Sequence, residues 1–189
     1  MIGNVMIDTL IAMLPTAHDL LPKDIPPRFA LVTLHRPSNV DGLDWLKRTI
    51  QVLEWFGPNL AVLFPVHPRT RQRMREVGMN GSSSALRLMD LLPYLHFLAL
   101  QQRALLVIID SGGIQEETTF LGVPCLTVRE NTERPITVAM GTNTIVGCDP
   151  QRIRVEVEAI AASRGKRGQV PPLWDGHAAE RIAKVIARL

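Results

Sequence analysis

The sequence predicts an α/β domain, a doubly wound parallel sheet of the Rossmann-like kind with helices on both faces. Three observations predict it. Short apolar runs alternate along the chain with segments of helical periodicity. The runs are continuously apolar, which is typical of strands that are buried on both faces of a parallel sheet. Polar residues and glycines follow these runs, at the sheet edge where such folds bind their ligands.

Composition and charge are those of an ordinary globular protein. Apolar residues make up 46% of the 189 residues, charged residues make up 21%, and the formal net charge is only +3. These values argue against disorder and against a nucleic-acid partner. No apolar run approaches the roughly 20 residues that span a bilayer, so we expect no membrane partner. Cys125 and Cys148 are not clustered, so no metal site is expected, and the absence of a signal-peptide pattern favours a cytoplasmic location.

Residues 1–28 differ in character from the rest of the chain. Apolar residues at helical spacing predict a helix over 1–14, and four prolines between residues 15 and 27 predict a linker over 15–28. A helix and a linker before the first strand are typical of the end of a preceding domain. We therefore expect residues 1–28 to be the tail of an amino-terminal domain that this sequence lacks, and residues 29–189 to form the ligand-binding domain.

Within residues 29–189 the predicted elements alternate regularly. Strands are expected where the apolar runs are short and unbroken, at 29–34, 60–66, 86–89, 105–109, 124–128 and 143–146. Helices are expected at 42–56, 68–77, 93–102, 150–163 and 176–189, with one from the glycine pair at 112 to about 121 and a short one that ends at 140. A Gly/Ser-rich turn is expected at 78–84.

The strongest single motif is the strand end at Ile109, which runs through Asp110 and Ser111 into Gly112 and Gly113 and then into a helix. Free N–H groups at a helix start, with no side chains on the glycines to obstruct them, form an anion site. The Ser111 hydroxyl and the helix dipole favour a phosphate or diphosphate there. The alternative is a helix capped by Asp110 or Ser111, with the glycines serving close packing. The pattern is not GxGxxG, so no nicotinamide or flavin cofactor is expected.

Four further polar residues follow the predicted strands or lie one turn into the next helix. Glu117 is placed to accept hydrogen bonds from ribose hydroxyls, and Arg134 to pair with a diphosphate. His35 and His67 each follow a strand, where proton transfer or phosphate contact is possible. Taken singly, each histidine also fits a structural role, and Arg134 also fits a surface position.

Five sequence strings, in this order and at this spacing, resemble the non-hydrolysing UDP-N-acetylglucosamine 2-epimerases. They are TLHRPSNV at 33–40, FPVHP at 64–68, DSGGIQEE at 110–117, GVP at 122–124 and TERP at 132–135. Gly3-Asn4 resembles the end of that family's amino-terminal domain, and Asp175-Gly176 resembles the segment before its last helix. The resemblance extends over nearly the whole chain.

The resemblance implies one half of the two-domain architecture shared with glycosyltransferase-B-like enzymes. It implies that UDP-N-acetylglucosamine and UDP-N-acetylmannosamine are interconverted for cell-envelope polysaccharides, with no cofactor. For the residues of this sequence, it implies that a diphosphate, a ribose and a uracil are held at separate positions of one site. Their residues are Ser111, Gly112, Gly113 and Arg134 for the diphosphate, Glu117 for the ribose and Phe97 for the uracil.

The resemblance also implies catalytic and regulatory residues. His35 matches an active-site histidine of the family, while Arg36 and His67 match contacts to a second, regulatory UDP-sugar. Many bacterial members have Arg-Glu where this chain has Pro37-Ser38. The family's acid and base carboxylates lie in its amino-terminal domain. We therefore expect the isolated chain to be inactive, with a separate amino-terminal domain or a homo-oligomer as its partner.

Two other functions fit the same motifs. One is the donor half of a retaining glycosyltransferase, which also holds UDP on a glycine-rich loop with a ribose-binding glutamate. The other is a truncated, non-catalytic nucleotide-binding domain.

Overall fold

The computed structural model describes residues 2–56, 60–79 and 85–188 and contains a six-stranded sheet in the order β3-β2-β1-β4-β5-β6. Every pair of neighbouring strands is parallel. The predicted Rossmann-like, doubly wound fold is therefore confirmed. The strands are β1 (Phe29–Thr33), β2 (Ala61–Pro65), β3 (Leu86–Met89), β4 (Leu106–Ile109), β5 (Cys125–Thr127) and β6 (Asn143–Ile145).

Helices cover both faces of this sheet because successive strand residues point to opposite sides. The helices are α1 (Val5–His18), α2 (Pro37–Val40), α3 (Leu43–Trp55), α4 (Pro68–Glu76), α5 (Tyr94–Arg103), α6 (Gly112–Leu121), α7 (Pro135–Ala139), α8 (Pro150–Ala161) and α9 (Ala178–Ile186). Ala30 and Val32 belong to a core cluster with residues of α3, α4 and α8, whereas Phe29 and Leu31 pack with residues of α5 on the other face.

The predicted linker over 15–28 is wrong in its first turn, because α1 continues through Pro15 to His18. Proline removes one hydrogen bond from a helix interior, but tertiary packing outweighs that loss here. Leu10 and Ala17 are fully buried in a cluster with Leu98 of α5, so the segments on both sides of Pro15 are held against the domain.

Helix α1 is also tied to the last helix of the chain. The Asp8 carboxylate accepts hydrogen bonds from the backbone N–H groups of Ala178 (3.1 Å) and Ala179 (2.7 Å). It therefore satisfies free donors at the start of α9, which has no cap from its own N-cap residue His177. The predicted tail thus packs on α5, α6 and α9.

Other differences from the predicted elements are small. The structure adds the single-turn helix α2, which the sequence analysis did not predict. Several elements end or begin one to three residues inside their predicted bounds, and α1 begins four residues later than predicted. Part of the predicted turn at 78–84 lies outside the described residues. Cys125 is buried in the core and Cys148 is exposed, and both are free thiols. Across residues 2–56, 60–79 and 85–188, no helix is long and apolar enough to cross a membrane.

Candidate functional site

The site lies where the strand order reverses. Strands β1 and β4 are neighbours in the centre of the sheet, and their chains continue to helices on opposite sides. The crevice beyond the carboxyl ends of such a pair is where open α/β sheets bind ligands. His35 and Arg36 follow β1 there, and Asp110, Ser111 and Gly112 follow β4.

Asp110 holds these two strand ends together. Its Oδ2 accepts hydrogen bonds from the backbone N–H groups of His35 (2.9 Å) and Arg36 (2.8 Å) and from Nδ2 of Asn39 (3.1 Å). Its other oxygen, Oδ1, lies 3.0 Å from Nδ1 of His35. Asp110 is fully buried, whereas 44% of the His35 side chain is exposed. The carboxylate therefore fixes the imidazole from beneath and leaves its far edge in the crevice.

This pair perturbs the pKa of both members. The hydrogen bond and the negative charge of Asp110 raise the pKa of His35, against the opposing effects of burial and of Arg36. Burial acts to raise the pKa of Asp110, but the hydrogen bonds from His35 and from the backbone of Arg36 and His35 outweigh it, so that pKa is lowered. Asp110 is thus held ionised, and His35 is favoured in its protonated form.

The start of α6 has the features of an anion site. Ser111 is its N-cap residue, yet no side chain caps the helix, so the alternative in which Asp110 or Ser111 caps α6 is wrong. A Cβ on Gly112 would lie only 2.7 Å from Oε1 of Glu133. A carboxylate group therefore already lies against the helix start, where the dipole favours negative charge.

Two arginines surround that carboxylate. Arg129 Nη1 lies 2.6 Å from Oε2 of Glu133, and Arg36 Nη2 lies 3.7 Å from Oε1. The backbone N–H of Glu133 itself and the Arg129 guanidinium hold the pKa of this carboxyl below its usual range. The helix start and its neighbours can thus stabilise a group with more than one negative charge.

Arg134 lies beside this cluster, at the N-terminus of α7. Its Nε lies 3.4 Å from Oε1 of Glu116, a residue of α6 that is only 6% exposed. The same oxygen accepts a 2.8 Å hydrogen bond from Nδ2 of Asn4. These three residues line an open cleft of about 500 Å³, which also borders Trp174.

Glu117 is buried about one turn after the start of α6 and contacts an aromatic residue. Its Oε1 accepts a 3.0 Å hydrogen bond from the hydroxyl of Tyr94, at the start of α5, whereas its Oε2 is buried. Burial raises the pKa of Glu117, against the lowering effects of hydrogen bonds from Tyr94 and Gln101. The oxygen that faces Tyr94 is the acceptor available to a ligand hydroxyl.

Phe97, which the resemblance assigns to the uracil, and Tyr94, on the same helix, differ in their exposure to solvent. Phe97 is partly buried against the core cluster that contains Phe29 and Leu31, whereas Tyr94 is 43% exposed beside Glu117. Tyr94 is thus the aromatic residue of α5 whose ring faces solvent next to the site. The sequence analysis missed it because Tyr94 and Glu117 are 23 residues apart and no local pattern joins them.

The two residues predicted for a regulatory site lie at the rim. Arg36 faces Glu133, as described above. His67 is the N-cap of α4 and accepts a hydrogen bond from the backbone N–H of Arg69, while its ring lies 6.5 Å from that of His35 between centroids. His67 therefore has a structural role whether or not it also touches a ligand. Among the residues that the structure describes, no group of three or more metal-ligating side chains is present.

Comparison with solved structures first defines the class. The fold of the chain is similar to that of the glycosyltransferase of kitacinnamycin, with a TM-score of 0.53 and 20% identity, which shows a shared fold. The likeness to epimerases is much greater. The structure of UDP-GlcNAc 2-epimerase from Methanocaldococcus jannaschii, in complex with UDP-GlcNAc and UDP, superposes with a TM-score of 0.82 and 31% identity, over 100% of this chain and 54% of that one.

The sequence identifies the family. The family model described as UDP-N-acetylglucosamine 2-epimerase matches residues 1–187, and the chain belongs to that family. The M. jannaschii UDP-N-acetylglucosamine 2-epimerase is 36% identical over 165 residues, which cover 84% of this chain and 44% of that enzyme. The UDP-2,3-diacetamido-2,3-dideoxy-D-glucuronate 2-epimerase of Pseudomonas aeruginosa is 35% identical over 193 residues, which cover 100% of this chain and 52% of that enzyme. The chain thus spans about half the length of the curated relatives it matches.

Proposed function

We propose that this chain is the UDP-holding half of a UDP-N-acetylglucosamine 2-epimerase that works in the cytoplasm. The observation that carries the proposal is the uncapped start of α6 with Arg36, Arg129 and Arg134 around it. These three arginines outnumber the two carboxylates that pair with them, Glu133 and Glu116, so the helix start suits a diphosphate. The Glu117 carboxylate beside Tyr94 suits a ribose hydroxyl. Family membership adds the substrate class, because relatives are named for UDP-sugars.

In the proposed reaction, UDP is the leaving group. A base removes the proton at C2 of the sugar, the C1–O bond breaks, and UDP departs with the bonding electrons to leave a glycal. The glycal is then protonated at C2 from the other face, and UDP adds back at C1. Charge builds up on the diphosphate as the C1–O bond breaks, so the α6 start and Arg134 stabilise the transition state more than the ground state.

His35 is suited to support the departing diphosphate. Asp110 orients its imidazole and raises its pKa, so His35 carries a proton over a wider pH range than an isolated histidine. A protonated imidazole stabilises negative charge or donates a proton, whereas a base at C2 must be unprotonated. We therefore assign the base at C2 to a group outside the described residues, in an amino-terminal domain or another protomer. His35 can supply at most one of the two groups, as a proton donor.

A second sugar is also a candidate for the sugar part of the substrate. The P. aeruginosa relative, which matches the whole chain at 35% identity, is named for a diacetamido-glucuronate rather than for N-acetylglucosamine. Both sugars are carried by UDP and change configuration at C2. The half of the site described here holds the shared UDP, so it accepts either nucleotide sugar.

Thermal unfolding with added ligand tests the proposal. UDP at millimolar concentration should raise the melting temperature, because a ligand that binds only the folded state stabilises it by mass action. Uridine or phosphate alone should raise it less. The matched variant is Gly112→Ala, since its new methyl group would meet only the flexible end of Glu133 and should cost little stability. It should keep the wild-type melting temperature and lose the UDP effect.

Two results would reject the proposal. One is the absence of any UDP effect on the wild type, and the other is an effect of phosphate as large as that of UDP. The remaining alternative, a non-catalytic nucleotide-binding domain, predicts the same UDP binding. It differs in predicting no epimerisation of either sugar even when an amino-terminal half is supplied.

A further inference from the structure

Glu116 is the one buried carboxylate of the described site to which the motifs assign no role. It is only 6% exposed, and its Oε1 contacts both Nδ2 of Asn4 (2.8 Å) and Nε of Arg134 (3.4 Å). Its Oε2 is buried and has no partner within the described residues. Burying a carboxylate is costly unless it is well paired, so its position beneath an arginine calls for a physical reason.

The shortest contact between Glu116 and Arg134 is an ion pair, in which Nε of the guanidinium lies 3.4 Å from Oε1. The two terminal nitrogens of Arg134 make no hydrogen bond to another side chain among the residues described. Those terminal nitrogens form the planar fork that binds a phosphate with two parallel hydrogen bonds. The side chain of Arg134 is 44% exposed, so without Glu116 it would rotate freely.

Glu116 is itself held by the scaffold. Asn4 donates to it through Nδ2 and at the same time caps α1, because its Oδ1 accepts a 2.9 Å hydrogen bond from the backbone N–H of Met6. Helix α1 is fixed in turn to α9 through Asp8. The orientation of Glu116 is thus determined by the packing of α1 on the domain.

We propose that Glu116 is a positioning residue that aims the terminal nitrogens of Arg134 at the diphosphate, and that Asn4 holds Glu116 in place. This inference rests on the proposed function, since it takes Arg134 to bind the diphosphate of UDP. Two opposed effects decide whether Glu116 strengthens or weakens the binding of UDP. The negative charge of Glu116 weakens the attraction of Arg134 for an anion, whereas its ion pair with Arg134 restricts rotational freedom that binding would otherwise have to remove. The proposal states that the second effect is larger.

Calorimetric titration with UDP tests this in a double-mutant cycle. Glu116→Ala should weaken UDP binding about fivefold, the size expected when one freely rotating side chain must be immobilised on binding. In an Arg134→Ala background, the same change should have no further effect, because the residue through which Glu116 acts is gone. Binding of uridine, which lacks the diphosphate, should be unchanged.

Two further variants separate positioning from a general loss of structure. Glu116→Gln keeps a hydrogen-bonding oxygen for Asn4 and Arg134, so it should restore UDP binding to within about twofold of wild type. Asn4→Ser keeps a capping hydroxyl for α1 but cannot reach Glu116, so it should weaken UDP binding in the same direction as Glu116→Ala without unfolding the domain. The control Glu158→Ala removes a carboxylate that pairs with Nε of Arg154 on α8, and it should leave UDP binding unchanged.

The results that overturn the inference differ from those that overturn the function. If the wild type binds UDP and neither Glu116→Ala nor Asn4→Ser weakens that binding, Glu116 does not position Arg134. Tighter binding by Glu116→Ala would show that the charge effect dominates. Equal losses in the wild-type and Arg134→Ala backgrounds would show that Glu116 acts by another route. A wild type that does not bind UDP would refute the proposed function itself.

Discussion

Replacement of Asp110 by Asn tests whether one buried carboxylate organises the candidate site. The carboxylate accepts three hydrogen bonds at Oδ2 and lies 3.0 Å from His35 at Oδ1. An amide oxygen at the same place keeps the three acceptor contacts but loses the charge that strengthens them, at about 1 kcal/mol each. A neutral amide is less costly to bury than a carboxylate, which offsets about half of the free energy lost from these three contacts. We expect Asp110→Asn to lower the free energy of unfolding by about 1–2 kcal/mol at pH 6.

The pH dependence of this loss follows from the two pKa shifts. The folded pKa of Asp110 is depressed, so its contribution is present above the unfolded value near 4 and is lost as the pH falls through the folded pKa. The folded pKa of His35 is raised, so its contribution is complete below the unfolded value near 6.5 and is lost as the pH rises through the folded pKa. The stability difference between wild type and variant should therefore be largest between about pH 4 and pH 6.5.

Urea denaturation across this pH range measures the difference, and NMR titration of the His35 ring measures its pKa. The pKa of His35 should fall in the variant, because its charged partner has become neutral. The matched control is Asp19→Asn, which removes a carboxylate 3.2 Å from Nδ1 of His18 in a pair that is 81% and 85% exposed. Exposed pairs contribute at most about 1 kcal/mol and often nothing. A stability difference that does not vary with pH, or an unchanged pKa of His35, would refute the reasoning.

Two further predictions concern the ligand and the reaction. Arg134→Ala should weaken UDP binding by about 1.5–3 kcal/mol by calorimetry, as for the loss of a charge-assisted phosphate contact. Arg154→Ala, which also removes an arginine whose Nε pairs with a glutamate, should leave binding unchanged, and equal effects would place Arg134 outside the site. The isolated 189-residue chain should show no exchange of the sugar C2 proton in deuterated water, because losing a general base costs about 10²–10⁴-fold. Exchange by the purified chain would contradict this.

The strands and most helices could be predicted because their signals are local. Unbroken apolar runs determine β1 and β4, and a glycine pair after a strand determines the start of α6. The course of α1 could not be predicted in the same way. Pro15 is a strong local signal for a break, and the buried contacts of Leu10 and Ala17 that override it come from α5, far away in sequence.

The candidate site shows the same division between local and distant information. Ser111, Gly112 and Arg134 lie in recognisable strings, and the structure brings them to one edge of the sheet. Asp110 lies in one of those strings too, yet its partners His35 and Asn39 are more than 70 residues away, so its role as the link between two strand ends appears only in the fold. No pattern within either segment indicates that such a pair meets.

The charges of the candidate site explain why we expect the isolated chain to bind UDP without catalysing the reaction. Around the α6 start, Arg36 and Arg129 pair with the Glu133 carboxylate, and Asp110 raises the pKa of His35. In the proposed site, these cationic groups hold a diphosphate and stabilise it as it departs. The removal of a proton from C2 needs the opposite, an unprotonated group next to the sugar. Glu116 pairs with Arg134, and in the proposed site Glu117 accepts a hydrogen bond from the ribose, so neither is assigned as that base. We therefore expect the base to be supplied from outside the described residues.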